Sequence, residues 1–155
     1  MPDLAPSPIL SLITGQAVLG NSGVAIMARL RGNDGNLVTQ GSLDTISYVV
    51  YDVQAVLDTG NRGGSGTVVT ASTALTVSSV IFDSLQQNSQ LWTADGPHRL
   101  GPDGTWGFNF RAILAATSFT VANSAKTHQV DVLFTPTSGQ QFRVSYRVPT
   151  LRIFA

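Results

Sequence analysis

Apolar and polar residues alternate along much of this chain with the period of two that a β-strand imposes, because successive side chains point to opposite faces. The clearest case lies near the end, where Val130, Val132 and Phe134 alternate with Gln129, Asp131, Leu133 and Thr135. Pro136-Thr137-Ser138-Gly139 interrupts the run, and Phe142, Val144, Tyr146 and Val148 then answer against Arg143, Ser145 and Arg147. The pattern predicts a hairpin with one apolar and one polar face, as a sheet covering a core on one side requires.

The same period predicts a strand over residues 23–31, where Val24, Ile26, Ala28 and Leu30 alternate with Ala25, Met27, Arg29 and Arg31. Asn33-Asp34-Gly35-Asn36 follows as a tight turn, since Gly and Asn tolerate positive φ. Residues 43–53 are apolar on both faces, which predicts a central strand or one with a covered outer face. Residues 58–66 are polar and glycine-rich and read as a hairpin tip. Short strands are then expected at 67–70 and 75–82, separated by Ala71-Ser72-Thr73, and another at 107–114. Between them, residues 83–105 are irregular. One short helix is expected near residues 83–92, followed by a loop broken by Gly96-Pro97 and Gly101-Pro102-Asp103-Gly104.

Pro2, Pro6 and Pro8 give residues 1–8 an extended arm, because each proline biases its predecessor away from helix. The apolar, strand-capable stretch 9–18 opens a single domain running from 9 to 155. Short strands with turn signals at this spacing predict an all-β fold, an antiparallel β-sandwich of about seven to nine strands.

Composition supports this reading. The chain has 155 residues, which fits one domain able to bury a core without staples. There is no cysteine, so disulfides, thiolate catalysis and cysteine zinc sites are excluded. Every acid is aspartate and Lys126 is the only lysine. Glu and Lys ordinarily fill solvated helix faces, so their scarcity argues against a long surface helix. Net charge is zero and the arginines are scattered, with no basic patch for nucleic acid. A weakly charged chain tends to associate, which predicts a multi-copy assembly or homo-oligomer. The N-terminus lacks the basic and apolar regions of a signal peptide, so synthesis in a cytoplasm without export by the usual route is expected. No apolar run approaches the ~20 residues of a membrane span.

Candidate chemistry is sparse. Val56-Leu57-Asp58-Thr59-Gly60 resembles the signature of aspartic proteases, in which two carboxylates share a proton. Here Asn61 stands where Ser or Ala belongs, and the ordinary reading is a loop starting after a strand. His98 lies near Asp95 and Asp103, and His128 opens the penultimate strand. Two histidines without cysteine fall short of a structural zinc site, and surface histidines are the simpler reading. Gly63-Gly64-Ser65-Gly66-Thr67 misses the last glycine of a nucleophile elbow and the lysine of a phosphate loop. No catalytic, cofactor or metal site is therefore expected. Trp92 and Trp106 flank the proline-rich loop, where they seal the sandwich or contact a partner or glycan. Apolar residues at the two ends offer the same choice. The candidate partner interface comprises Pro6, Pro8, Ile9, Leu10, Trp92, Trp106, Leu151, Ile153 and Phe154.

Three stretches together resemble immunoglobulin-like structural domains of tailed bacteriophages. They are Ile46-Ser47-Tyr48-Val49-Val50-Tyr51-Asp52, Phe108-Asn109-Phe110-Arg111, and the closing hairpin around Pro136-Thr137-Ser138-Gly139. The resemblance extends over residues 23–153, without the Cys-Trp-Cys core of antibody domains. It implies a non-enzymatic virion protein, foremost a capsid decoration or cement subunit bound to the major capsid protein. A tail or baseplate connector is the alternative it leaves. A carbohydrate-binding sandwich is the alternative from another class.

Overall fold

The structure, a computed structural model, describes residues 18–19, 23–58, 66–87, 107–119 and 126–151. They form two facing sheets. The larger holds β1 (Val18–Leu19), β8 (Phe142–Leu151), β7 (Lys126–Pro136), β3 (Leu43–Asp52) and β4 (Thr67–Leu75), in that spatial order. The smaller holds β2 (Val24–Ala28), β6 (Phe108–Leu114) and β5 (Ile81–Gln86). Neighbours pair antiparallel except β1, which runs parallel to β8. The expected all-β sandwich is what the chain adopts.

The register explains why alternation was so clear. Val50, Val130 and Tyr146 sit side by side across β3, β7 and β8, and so do Tyr48, Val132 and Val144. All six are buried, together with Val24, Ile26, Ala28, Phe110, Ala112 and Leu114 from the facing sheet. Each Val, Leu, Ile and Phe among them contributes ~1.5–3 kcal/mol when fully buried, which makes this seam the main source of stability. Phe110 meets Phe134 edge to face between the sheets, with ring centres 5.1 Å apart. Phe134 stacks on Phe142 at 4.8 Å. The Tyr146 hydroxyl crosses the core to donate to the Met27 carbonyl at 3.0 Å, and burial pushes its phenol up from the usual value.

The hairpin expected at the end of the chain is β7–β8, turning through Gly139 at a φ of 102°, which favours glycine. Pro136 belongs to β7 rather than to the turn, opposite Leu43 of β3. The expected central strand is β3, paired with β7 on one side and β4 on the other.

Several boundaries differ from expectation. The breaks expected around Ala71-Ser72-Thr73 are absorbed as register shifts within one strand. β4 advances from Thr73 to Thr70 while β3 advances from Tyr48 to Val50, then from Thr70 to Val68 while β3 moves one step to Tyr51. Each shift inserts an extra residue into β4, as a β-bulge does. Nor is 75–82 one strand. Helix α2 (Val77–Val80) lies between β4 and β5, because the chain must leave one sheet and enter the other there. Val80 is buried, and Val77 three residues earlier packs partly against the core. The helix expected near 83–92 is not present at Asp83, Ser84, Leu85 or Gln86, which continue β5. Gln87 follows in no regular element, and residues 88–92 lie outside the described residues, as does the arm 1–8.

The strand expected over 23–31 ends at Ala28. Beyond it the chain folds back through the expected Asn33 to Asn36 turn, where Asp34 Oδ1 accepts from the Asn36 N–H at 3.0 Å. Arg31 and Leu37 form an isolated bridge, and the Val38 N–H donates to the Leu30 carbonyl at 3.0 Å. Among the described residues, no helix is long and apolar enough to cross a membrane.

Candidate functional site

The polar groups that the fold brings together inside the sandwich lie at one end of the larger sheet. Asp52 ends β3 in phase with the buried Ile46, Tyr48 and Val50. His128 lies directly opposite it on β7, in phase with Val130, Val132 and Phe134. Lys126 begins that strand on the same face, opposite Thr150 of β8. Period two therefore points four polar side chains towards the inter-sheet space, where the apolar core runs out.

Lys126 Nζ donates to Asp52 Oδ2 at 2.6 Å, with the two side chains 28% and 17% exposed. Asp52 Oδ1 accepts from the Gln54 N–H at 3.0 Å, at the start of α1 (Gln54–Asp58). Gln54 Oε1 in turn accepts from the Thr127 N–H at 2.9 Å, tying α1 to β7. Burial pushes the Asp52 carboxyl up. The Lys126 and Gln54 hydrogen bonds and the nearby positive charge outweigh it and hold the group below the usual range.

His128 is fully buried, so the reading of this residue as a surface histidine is corrected. Its ring meets Phe119 edge to face at 5.4 Å, and its Nδ1 lies 3.3 Å from Thr150 Oγ1. That hydroxyl donates its hydrogen to the Lys126 carbonyl at 2.9 Å. The imidazole Nδ1 must then carry the proton shared with Thr150 Oγ1, since the hydroxyl has only one hydrogen to give. Burial pushes His128 down from its usual pKa and Lys126 adds to this, while Asp52 opposes it.

Hydroxyl, imidazole and carboxylate are the residue types of a nucleophilic triad, but the geometry is that of a structural tie. An activated nucleophile gives its proton to the imidazole and opens to substrate. Thr150 gives its proton to a backbone carbonyl and is 6% exposed.

A second polar tie was not anticipated. Asn109 interrupts Phe108 and Phe110 on β6, and alternation assigns it to the face opposite theirs, yet it is fully buried. Its Oδ1 accepts from the Leu30 N–H at 2.6 Å, and its Nδ2 donates to the carbonyls of Leu30 at 3.0 Å and Val38 at 2.8 Å. One side chain thus substitutes for the strand pairing that β2 loses after Ala28. A third cluster sits on the outer face of β7–β8. There Asp131 Oδ1 accepts from Ser145 Oγ at 2.7 Å and from Gln129 Nε2 at 2.9 Å, with Arg143 3.6 Å from Oδ2.

The other sequence candidates are dispersed. Val56, Leu57 and Asp58 belong to α1, so the protease-like motif begins within a helix and Asp58 does not open a loop after a strand. Thr59, Gly60 and Asn61 lie outside the described residues, as do the Gly63 to Ser65 loop, Asp95, His98 and Asp103. Of the candidate interface, Pro6, Pro8, Ile9, Leu10, Trp92, Trp106, Ile153 and Phe154 also fall outside them. Leu151 closes β8 in register with Leu19. Among the described residues, no group of three or more His, Cys, Asp or Glu is placed to hold a metal ion.

No protein family, curated protein or solved structure matches the chain.

Proposed function

We propose that this chain is a non-enzymatic structural module of a virion, an immunoglobulin-like capsid decoration or cement subunit that binds the major capsid protein. The observation that carries the reading is the strand order. Lettered in the immunoglobulin manner, β2–β6–β5 corresponds to strands B, E and D, and β8–β7–β3–β4 to G, F, C and C′. This supports the architectural half of the resemblance noted in the sequence. The polar clusters support the non-enzymatic half, since the Thr150 hydroxyl donates to a backbone carbonyl and the Asp52 carboxylate is engaged by Lys126 and the Gln54 N–H. Edge strand β4 adds a surface suited to protein contact, with nine residues, none charged and most exposed.

The direct test is mass spectrometry of purified particles, followed by adding the isolated chain to particles that lack it. Saturable co-sedimentation with capsids is the expected result. Binding confined to tails selects the connector alternative, and a chain absent from particles that binds neither discards the virion reading.

A further inference from the structure

We propose that the outer face of the larger sheet is the surface by which this chain docks, and that its occupant is an acidic patch on a partner protein. Naming that partner as the major capsid protein rests on the capsid reading proposed for the chain. The face is set by register. One row crosses four strands, from Val68 of β4 through Tyr51 of β3 and Gln129 of β7 to Arg147 of β8. A second row runs from Ala74 through Ser47 and Leu133 to Arg143. Their strand neighbours Tyr48, Val50, Val132, Val144 and Tyr146 are buried, so the side chains of both rows point away from the core.

Charge divides this face in two. Towards β4 it is uncharged, with Val68 54% exposed and Tyr51, Leu133 and the intervening Val49 half-buried. Towards β8 it is cationic. The Arg143 side chain is 60% exposed, and Arg147 is exposed with no ion pair among the described residues. The two arginines stand four residues apart on one strand, about 13 Å from Cα to Cα. Asp131 lies between the rows but does not neutralise them. Its side chain is 11% exposed, its Oδ1 already accepts from Ser145 and Gln129, and Arg143 stands off at 3.6 Å.

This division selects the occupant. Arginine pairs with carboxylates through a two-pronged fork, and the pairing strengthens where an apolar contact beside it excludes water. A protein surface with carboxylates flanking an apolar patch supplies both. A second copy of the chain fits worse, because the one acid among the described residues of this face is Asp131, which is engaged. Nucleic acid would engage the arginines but not the aliphatic Val49, Val68 and Leu133.

The experiment is co-sedimentation of the purified chain with capsids that lack it. The variants are Arg143→Gln, Arg147→Gln, the two combined, and Tyr51→Ser, with Ile113→Glu as the control. Ile113 is 66% exposed on the outer face of the smaller sheet, so Ile113→Glu changes net charge as one arginine substitution does, but on the opposite side. Thermal melts by circular dichroism verify that each variant is folded. Each arginine variant and Tyr51→Ser should weaken binding about tenfold, and the combined variant more, while Ile113→Glu binds as wild type. Added salt should weaken the wild type and have little effect on the combined variant. If the combined variant or Tyr51→Ser stays within about threefold of a wild type that binds, the capsid reading stands and this face is overturned. An equal loss in Ile113→Glu also overturns it, since net charge alone then accounts for binding. A wild-type dimer in light scattering that Arg147→Gln dissociates gives the face to a second copy and overturns the acidic partner. A wild type that does not sediment with capsids overturns the capsid reading and the docking proposal together.

Discussion

Asn109 offers the sharpest test of how this fold is held, because one side chain makes three buried hydrogen bonds to a segment that has left its sheet. Asn109→Leu keeps the volume and removes all three. The Leu30 carbonyl retains the Val38 N–H as a partner, so its loss is partial. The Leu30 N–H and the Val38 carbonyl lose the partner that the side chain supplied. An orphaned buried polar group costs ~1–3 kcal/mol, so two such groups and one weakened one come to roughly 3–5 kcal/mol. Against a typical domain stability of ~5–15 kcal/mol, this is a large fraction of the total. With a urea slope of ~2 kcal/mol per molar, the midpoint should fall by about 2 M. Asn109→Asp separates hydrogen bonding from shape. Its carboxylate can still accept from the Leu30 N–H, but it sets a second anionic oxygen against two carbonyls. Urea unfolding followed by circular dichroism should therefore rank wild type well above both variants at neutral pH, with Asn109→Asp partly recovering in acid. A loss below about 1 kcal/mol in a folded Asn109→Leu protein would refute the claim that this side chain substitutes for strand pairing.

Other outcomes follow from the same packing. Gly107 has a φ of 118°, and a Cβ there would run into the Gln86 carbonyl oxygen. Gly107→Ala should cost at least ~1–3 kcal/mol, read as a lower thermal midpoint. Phe134 is fully buried whereas Ile113 is 66% exposed. Phe134→Ala should cost ~3–5 kcal/mol, and Ile113→Ser should stay within about 0.5 kcal/mol in the same melt. Asp52 has a depressed pKa, so its contribution is present above the unfolded value of 3.8 and is lost as the pH falls through the lower folded value. Asp52→Asn should lower stability at neutral pH and flatten the response below about pH 4. An unchanged acid limb in urea titrations would show that Asp52 is not responsible for it.

Alternation in the sequence was enough to determine the strands that face the core. In β6 and β7, in β8 as far as Val148 and in β3 from Ile46 on, the apolar side chains occupy the face their phase assigns, because a period of two leaves a half-buried strand no other choice. Leu43, by contrast, reaches the core out of phase across a register shift. The same phase was readable for Asp52, Lys126 and His128, which fall in step with buried neighbours on their own strands. What the sequence did not carry was their meeting. Asp52 and His128 lie 76 positions apart, and only the β3–β7 register sets them opposite one another. Asn109 looked like a solvent-facing residue because nothing local reveals that Leu30 and Val38 come within hydrogen-bonding reach of it. Likewise β4 looked broken and 75–82 looked continuous, because bulges and the crossing between sheets answer to distant partners rather than local propensity. Local alternation thus set the faces, and long-range register decided which polar groups share them, since burying a polar group is tolerable only where a partner from another strand is waiting.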